Sequence, residues 1–284
     1  MWRHTKMIVL VALCAAMYAA LLIPFQSIPI IPGHVSLRVA NILPVAFGLL
    51  FGPAGAFGAA IGNLIGDFFG TLSPGAIGGF VANFMVAFLS YKLWSALSPM
   101  RDIAIRLNNW RQMARYEINV LLQTFSVTLI LTFWVALLLG LVPAEFFFLA
   151  VVIGNTVPAA IVTPFIIRIL HPRLKKWGLL WTDIMEPEEV SSGRRFRKVG
   201  LALVTIGAVG GLISMIFFLY FADVPIDSAL AVYQPVPFLI LIFAGSVMMG
   251  GRDQVEAMQN SQMPAAETNG SPSTGRKPRP EAGW

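Results

Sequence analysis

Eight apolar runs narrow the folds open to this chain more than any other feature: residues 7–25, 38–51, 53–70, 74–97, 118–141, 146–170, 199–221 and 229–250. The longer runs match the roughly 20 residues an α-helix needs to cross the hydrocarbon of a bilayer. In lipid the backbone must satisfy its own hydrogen bonds, so such runs are expected as helices. The expected fold class is therefore all-α, a polytopic membrane protein. Composition agrees: 57% of residues are hydrophobic and 12% charged, about half the charge of a soluble domain. The runs at 38–51 and 53–70 are short and separated only by Gly52-Pro53. They are expected to form a tight hairpin surrounded by protein rather than lipid.

Basic residues then orient the bundle. Arg3 and Lys6 precede the first run, and Arg101, Arg106, Arg111 and Arg115 separate the fourth from the fifth. Arg173, Lys175, Lys176, Arg194, Arg195, Arg197 and Lys198 separate the sixth from the seventh, and Arg252, Arg276, Lys277 and Arg279 follow the last. All fall on one side if both termini lie on the cytoplasmic side of the cell membrane. The first run exceeds the 7–15 residues usual in the apolar part of a signal peptide, so it is expected to be a span. The chain divides into a six-helix core (1–170), a basic cytoplasmic loop (171–198), an additional transmembrane helix pair (199–250) and a polar tail (251–284) expected to be disordered. The net charge of +6 is spent on topology. With no basic face carrying stacking aromatics, nucleic acid is not an expected partner; the lipid bilayer is.

Two helices carry ridges of small residues. Ala12, Ala16 and Ala20 recur every fourth residue in the first run, beside a parallel ridge of Ala15 and Ala19. Gly58, Gly62, Gly66 and Gly70 do the same in the third. Such ridges let helices approach closely; packing within the protein and contact with a partner or ligand both remain open.

The polar residues inside the runs are more specific. Arg38, Asn41, Asn63 and Asp67 lie within about two turns of the outer surface, and Asn83 and Asn155 reach deeper. An ionisable group within a span costs free energy, which an Arg38–Asp67 pair would offset. Asparagine offers donor and acceptor together, so the converging amides suggest a small-molecule pocket open to the outside; a purely structural pair is the alternative.

The sequence has no phosphate-binding GxxxxGK[ST] loop and no HExxH. No histidine has a second histidine or cysteine at ligand spacing, and Cys14 is alone. No metal, cofactor or catalytic residue is expected, nor any enzymatic activity. An integral membrane enzyme would need clustered carboxylates, for which Asp183, Glu186, Glu188 and Glu189 are the nearest candidates; they are expected to form a solvated loop. A stand-alone secondary carrier is the other alternative.

The alanine ridge, LRVANILPVAFGLLFG, GPAGAFGAAIGNLIGDFFG and PGAIGGFVANF, in this order over about 1–170, resemble the substrate-binding S components of energy-coupling factor (ECF) vitamin transporters. VSLRVANILP is most similar to the QueT-like, queuosine-precursor branch. The resemblance departs at Asn41, where that branch carries an acidic residue, and in the helix pair after Val199. It implies a six-helix S-component-like core plus two additional helices, and capture of a vitamin or related heterocyclic nutrient. The partners implied are a membrane T component and cytoplasmic ATPase subunits. Ala12, Ala16 and Ala20 would then meet the T component, residues 26–37 would close over the ligand, and Arg38, Asn41, Asn63, Asp67, Asn83 and Asn155 would line or support its site.

Overall fold

The structure, a computed structural model, describes residues 1–26, 29–31, 35–36, 39–70, 72–99, 102–190 and 196–260. Helix α1 (Thr5–Gln26) leads into a short antiparallel hairpin, β1 (Pro29–Ile31) and β2 (Val35–Ser36). A 3-10 turn, Val39–Ile42, opens α2 (Leu43–Phe51), which folds back into α3 (Pro53–Phe68). Next come α4 (Gly75–Leu97), α5 (Trp110–Leu131), α6 (Ala144–Ile161), α7 (Thr163–Lys176) and α8 (Trp181–Ile184). The remainder holds α9 (Arg197–Thr205), α10 (Gly211–Tyr220), α11 (Ala229–Tyr233), α12 (Val236–Met248) and α13 (Arg252–Asn260).

Among the described residues six helical stretches are long and apolar enough to cross a membrane: Thr5–Phe25, Gly75–Leu97, Trp110–Leu138, Ala144–Ile161, Arg197–Tyr220 and Ala229–Gln259. The chain is an all-α, multi-pass membrane protein. The other two expected spans are shorter: Val39–Phe51 and the 16-residue α3. They form the expected hairpin, with residues 44–51 of α2 all buried.

Two boundaries differ from the sequence pattern for local reasons. Helix α5 starts at Trp110, two turns before the apolar run, because the Asn109 side chain accepts the Gln112 backbone N–H at 2.8 Å and caps the helix. The sixth run breaks at Val162 into α6 and α7, where Pro164 cannot donate to the preceding turn.

Glycine sets the tightest contacts. A Cβ at Gly62 would stand 2.7 Å from the Ala15 carbonyl oxygen and the Tyr18 Cβ, and one at Gly58 would stand 2.4 Å from Cys14 Cβ. The glycine ridge of α3 therefore packs on the inner alanine ridge of α1, where Ala15 and Ala19 are buried. The outer ridge, Ala12, Ala16 and Ala20, is exposed.

At the end of the bundle that carries the basic loops, the space beneath the α2–α3 turn is filled. Gly52 turns α2 into α3 with φ +54°, and the buried Trp181 of α8 lies directly against it. Trp181 also meets Tyr91, at the end of a line of aromatic contacts running from Trp2 through Phe57, Phe84 and Phe88. The His4 Nε2 lies 2.6 Å from Glu189, whose carboxyl is held below the usual range chiefly by that hydrogen bond. The polar tail expected from residue 251 begins instead with a packed helix. In α13, Val255 and Met258 are buried, and Gln259 donates to the Met185 carbonyl at 3.2 Å. Residues 261–284 lie outside the described residues.

The additional helices pack on each other through Gly200 and Gly245, each backed on the other's carbonyl, and on α5 through Gly211 against Leu129. Lys92, buried in α4, donates to the Met249 carbonyl at 2.5 Å and so ties them to the core.

Candidate substrate pocket

At the opposite end the helices do not fill the space between them. The 3-10 turn, α3, α4, α5 and α6 enclose a cavity of about 670 Å³. The wall formed by α5, the turns that follow it and the first half of α6 is apolar, with Val127, Leu131, Val135, Phe147 and Val151. At Thr132–Leu138 the backbone of α5 winds as a π-helix, a geometry frequent at functional sites. The Trp134 Nε1–H fixes this wall to the start of α4 by donating to the Pro74 carbonyl at 3.0 Å.

The polar residues gather on the 3-10 turn, α3 and α4, with Asn155 added from the second half of α6. Asn41, Asp67, Asn83 and Asn155 all line the cavity. Asn63 sits behind it: fully buried one turn from Asp67, it donates Nδ2–H to Asp67 Oδ2 at 2.9 Å. A Cβ at Gly79 would stand 2.8 Å from that Asn63 nitrogen, so glycine there makes room for the amide. Asn63 is thus a support for Asp67 rather than part of the wall. Arg38, and with it the expected pair to Asp67, lies outside the described residues, as do residues 27–28, 32–34 and 37 of the expected lid.

Tyr18 organises the amides. Its buried hydroxyl donates to Asn83 Oδ1 at 2.9 Å and lies 3.3 Å from Asn41 Oδ1. Asn83 donates Nδ2–H to the Gly79 carbonyl, and Asn155 to that of Val151, at 2.9 and 2.8 Å. These bonds fix both side chains while leaving the Asn155 oxygen and the Asn41 nitrogen without protein partners among the described residues. The Thr163 hydroxyl secures the turn carrying Asn41 by donating to the Ile42 carbonyl at 2.7 Å. The cavity thus presents a carboxyl and amide groups opposite an apolar wall, a combination suited to a flat, polar-edged ring.

Two further buried polar residues, Tyr18 and Gln123, are not among those the sequence marks. Tyr18 is the one hydroxyl within the run at 7–25, a signal that could have found it. Gln123 is fully buried on α5, four residues before the cavity-lining Val127, and neither amide atom has a partner among the described residues. Among the described residues no three His, Cys, Asp or Glu side chains gather as a metal site. Glu186 and Glu189 instead form a reciprocal cap on a 3-10 turn.

The family model for the QueT transporter matches residues 8–172, more than half of the chain. The chain belongs to the QueT transporter family. No curated protein and no solved structure matches it significantly. The matched segment contains every described wall of the cavity and ends before the additional helices. Membership of the QueT family makes the chain a membrane transporter of a small substrate. The helix pair from α9 onward is an elaboration outside the matched segment.

Proposed function

We propose that this QueT-family chain is the substrate-capture subunit, or S component, of an ATP-driven importer of the ECF type, and that it takes up a small heterocyclic nutrient such as a queuosine precursor. The observation that carries the reading is the cavity in which Asn41, Asp67, Asn83 and Asn155 face an apolar wall. The Asp67 carboxylate accepts ring or amino N–H groups, the amides satisfy ring nitrogens and carbonyls, and the valines and Phe147 cover the ring face. Arg38 would add a donor for a carbonyl or carboxylate.

The basic residues put both termini in the cytoplasm, so the cavity faces outward. The chain carries no nucleotide-binding loop and therefore relies on partners. The exposed Ala12, Ala16 and Ala20 form a small-residue surface on which the T component docks, and the ATPase subunits act through that component.

Reconstitution into vesicles tests this reading. The chain alone binds substrate without moving it, and uptake requires the T component, the ATPase subunits and ATP. Ala16→Trp leaves binding intact and removes uptake. Uptake by the chain alone, without ATP, would establish a secondary carrier instead.

A further inference from the structure

The basic end contains a second hollow, of about 300 Å³, between the α4–α5 connection, the start of α5, the end of α7 and α13. Arg106, Asn108, Gln112 and Lys175 line it, and Ala257 and Met258 of α13 close one side. Its walls are firmly held. Trp94 donates Nε1–H to the Ile103 carbonyl at 2.7 Å. Arg168 donates twice to the Leu107 carbonyl, at 3.0 and 2.6 Å. Leu107 is fully buried with φ 52°, a conformation that a leucine holds only when its surroundings enforce it.

Two features of the hollow are open to a ligand: the cations Arg106, exposed, and Lys175, half-buried, and the buried amide oxygen of Gln112. The one carboxylate among the described residues of the hollow, Asp102, is engaged by Arg115 at 2.7 Å and by Gln112 Nε2–H at 2.5 Å, and only its longer-range charge reaches Arg106. Arg106 and Lys175 have no carboxylate partner among the described residues. Both lie near the buried His171: burial, then the charges of Lys175 and Arg106, push its ring down to about 4. Gln112 is 3% exposed, and its amide orientation is fixed by the bonds it gives to Asp102 and the Ala104 carbonyl. Its Oε1 is left buried without a donor, which is costly unless a ligand or water supplies one.

We propose that this hollow binds a phosphate group, with oxyanion oxygens on Arg106 and Lys175 and a hydroxyl or P–OH donor meeting Gln112 Oε1. Phosphate matches paired cations by charge and by its several acceptor oxygens. The group comes from a lipid headgroup or from a soluble phosphate. The exposed Trp110 and Trp177, at the ends of the flanking helices, are residues of the type that anchors helices at the headgroup level. Once bound, the ligand clamps α13 to the α4–α5 connection. The inference is independent of what the larger cavity binds.

Thermal unfolding of the full chain tests it in two arms at constant ionic strength. One arm titrates inorganic phosphate against chloride. The other compares mixed micelles containing short-chain phosphatidylglycerol with micelles of phosphatidylcholine. We expect a saturable rise in Tm in at least one arm, and about a tenfold or greater loss of apparent affinity in both Arg106→Gln and Lys175→Gln. Neither residue has a carboxylate partner among the described residues, so both variants are expected to fold. A rise with inorganic phosphate identifies a soluble ligand, and a rise with phosphatidylglycerol alone identifies a headgroup. No rise in either arm, or an equal rise in the double variant, overturns the proposal.

Discussion

At the cavity end, Asn41, Asp67, Asn83 and Asn155 face a hollow of about 670 Å³; at the basic end, Trp181 fills the space beneath Gly52 and meets Tyr91. The same helices run through both ends. What differs is the side chains they carry there. Near the basic end large rings close the gap between α3, α4 and α8, and His4 and Glu189 tie the amino terminus across it. Near the cavity end α5 and the first half of α6 present apolar side chains across from the short amides of Asn41 and Asn83, and the volume stays open. A protein built to receive a solute at one face and stay closed at the other needs this asymmetry, which accords with the proposal that release depends on partner subunits.

The comparison breaks if substitutions at the two ends have the same consequence. Trp181→Ala should have the largest effect, destabilising the fold by about 3–5 kcal/mol in chemical unfolding, with ligand affinity of the folded fraction unchanged. The pH dependence of the basic end comes next. The ring of His171 titrates near 4 in the fold against an ordinary 6.5, so the unfolded chain takes up the proton first. Stability is full above about 6.5 and falls as pH drops toward 4, by up to about 3 kcal/mol; His171→Gln flattens this profile. Asp67→Asn acts at the other end: affinity for a queuosine-precursor base falls roughly ten- to a hundredfold, about 1.4–2.7 kcal/mol, with little change in Tm. The smallest effect is expected beneath the cavity, where Gln123→Leu removes an amide with no partner. It should leave stability unchanged or raise it by about 1 kcal/mol, and a clear loss of Tm would show that the amide is held in place.

Much of the helical framework is legible in the sequence because lipid imposes both helix length and backbone pairing on any apolar run. The α2–α3 hairpin follows from Gly52-Pro53 and the shortness of its arms. Features that depend on one residue against its neighbours are not legible. The early start of α5 rests on the Asn109 side chain, while charge near 111–117 reads as loop. The break at Val162 needs Pro164, which apolar periodicity ignores. Helix α13 reads as tail because nine polar-rich residues have no reason to fold until Trp181 and the Glu186–Glu189 turn offer them a surface.

The candidate site is legible to a different degree. Polarity inside apolar runs marks Asn41, Asp67, Asn83 and Asn155, and the structure brings these onto one cavity. Sequence cannot separate wall from support, so Asn63 reads as an equal of Asp67 until its hydrogen bond shows otherwise. Nor does it assign the two alanine ridges of α1, which depend on which face the α3 glycines select.

Gly154 offers the most direct test of the central claim that the cavity is the substrate receptacle. It lines the cavity, and a Cβ there would meet nothing within 4 Å, so Gly154→Trp adds bulk at the wall of the hollow from a position with open space around it. Equilibrium binding of a queuosine-precursor base to the purified variant, beside its Tm, is the measurement. Binding is expected to be lost while Tm is unchanged or higher; undiminished binding by the folded variant would mean that the substrate sits elsewhere.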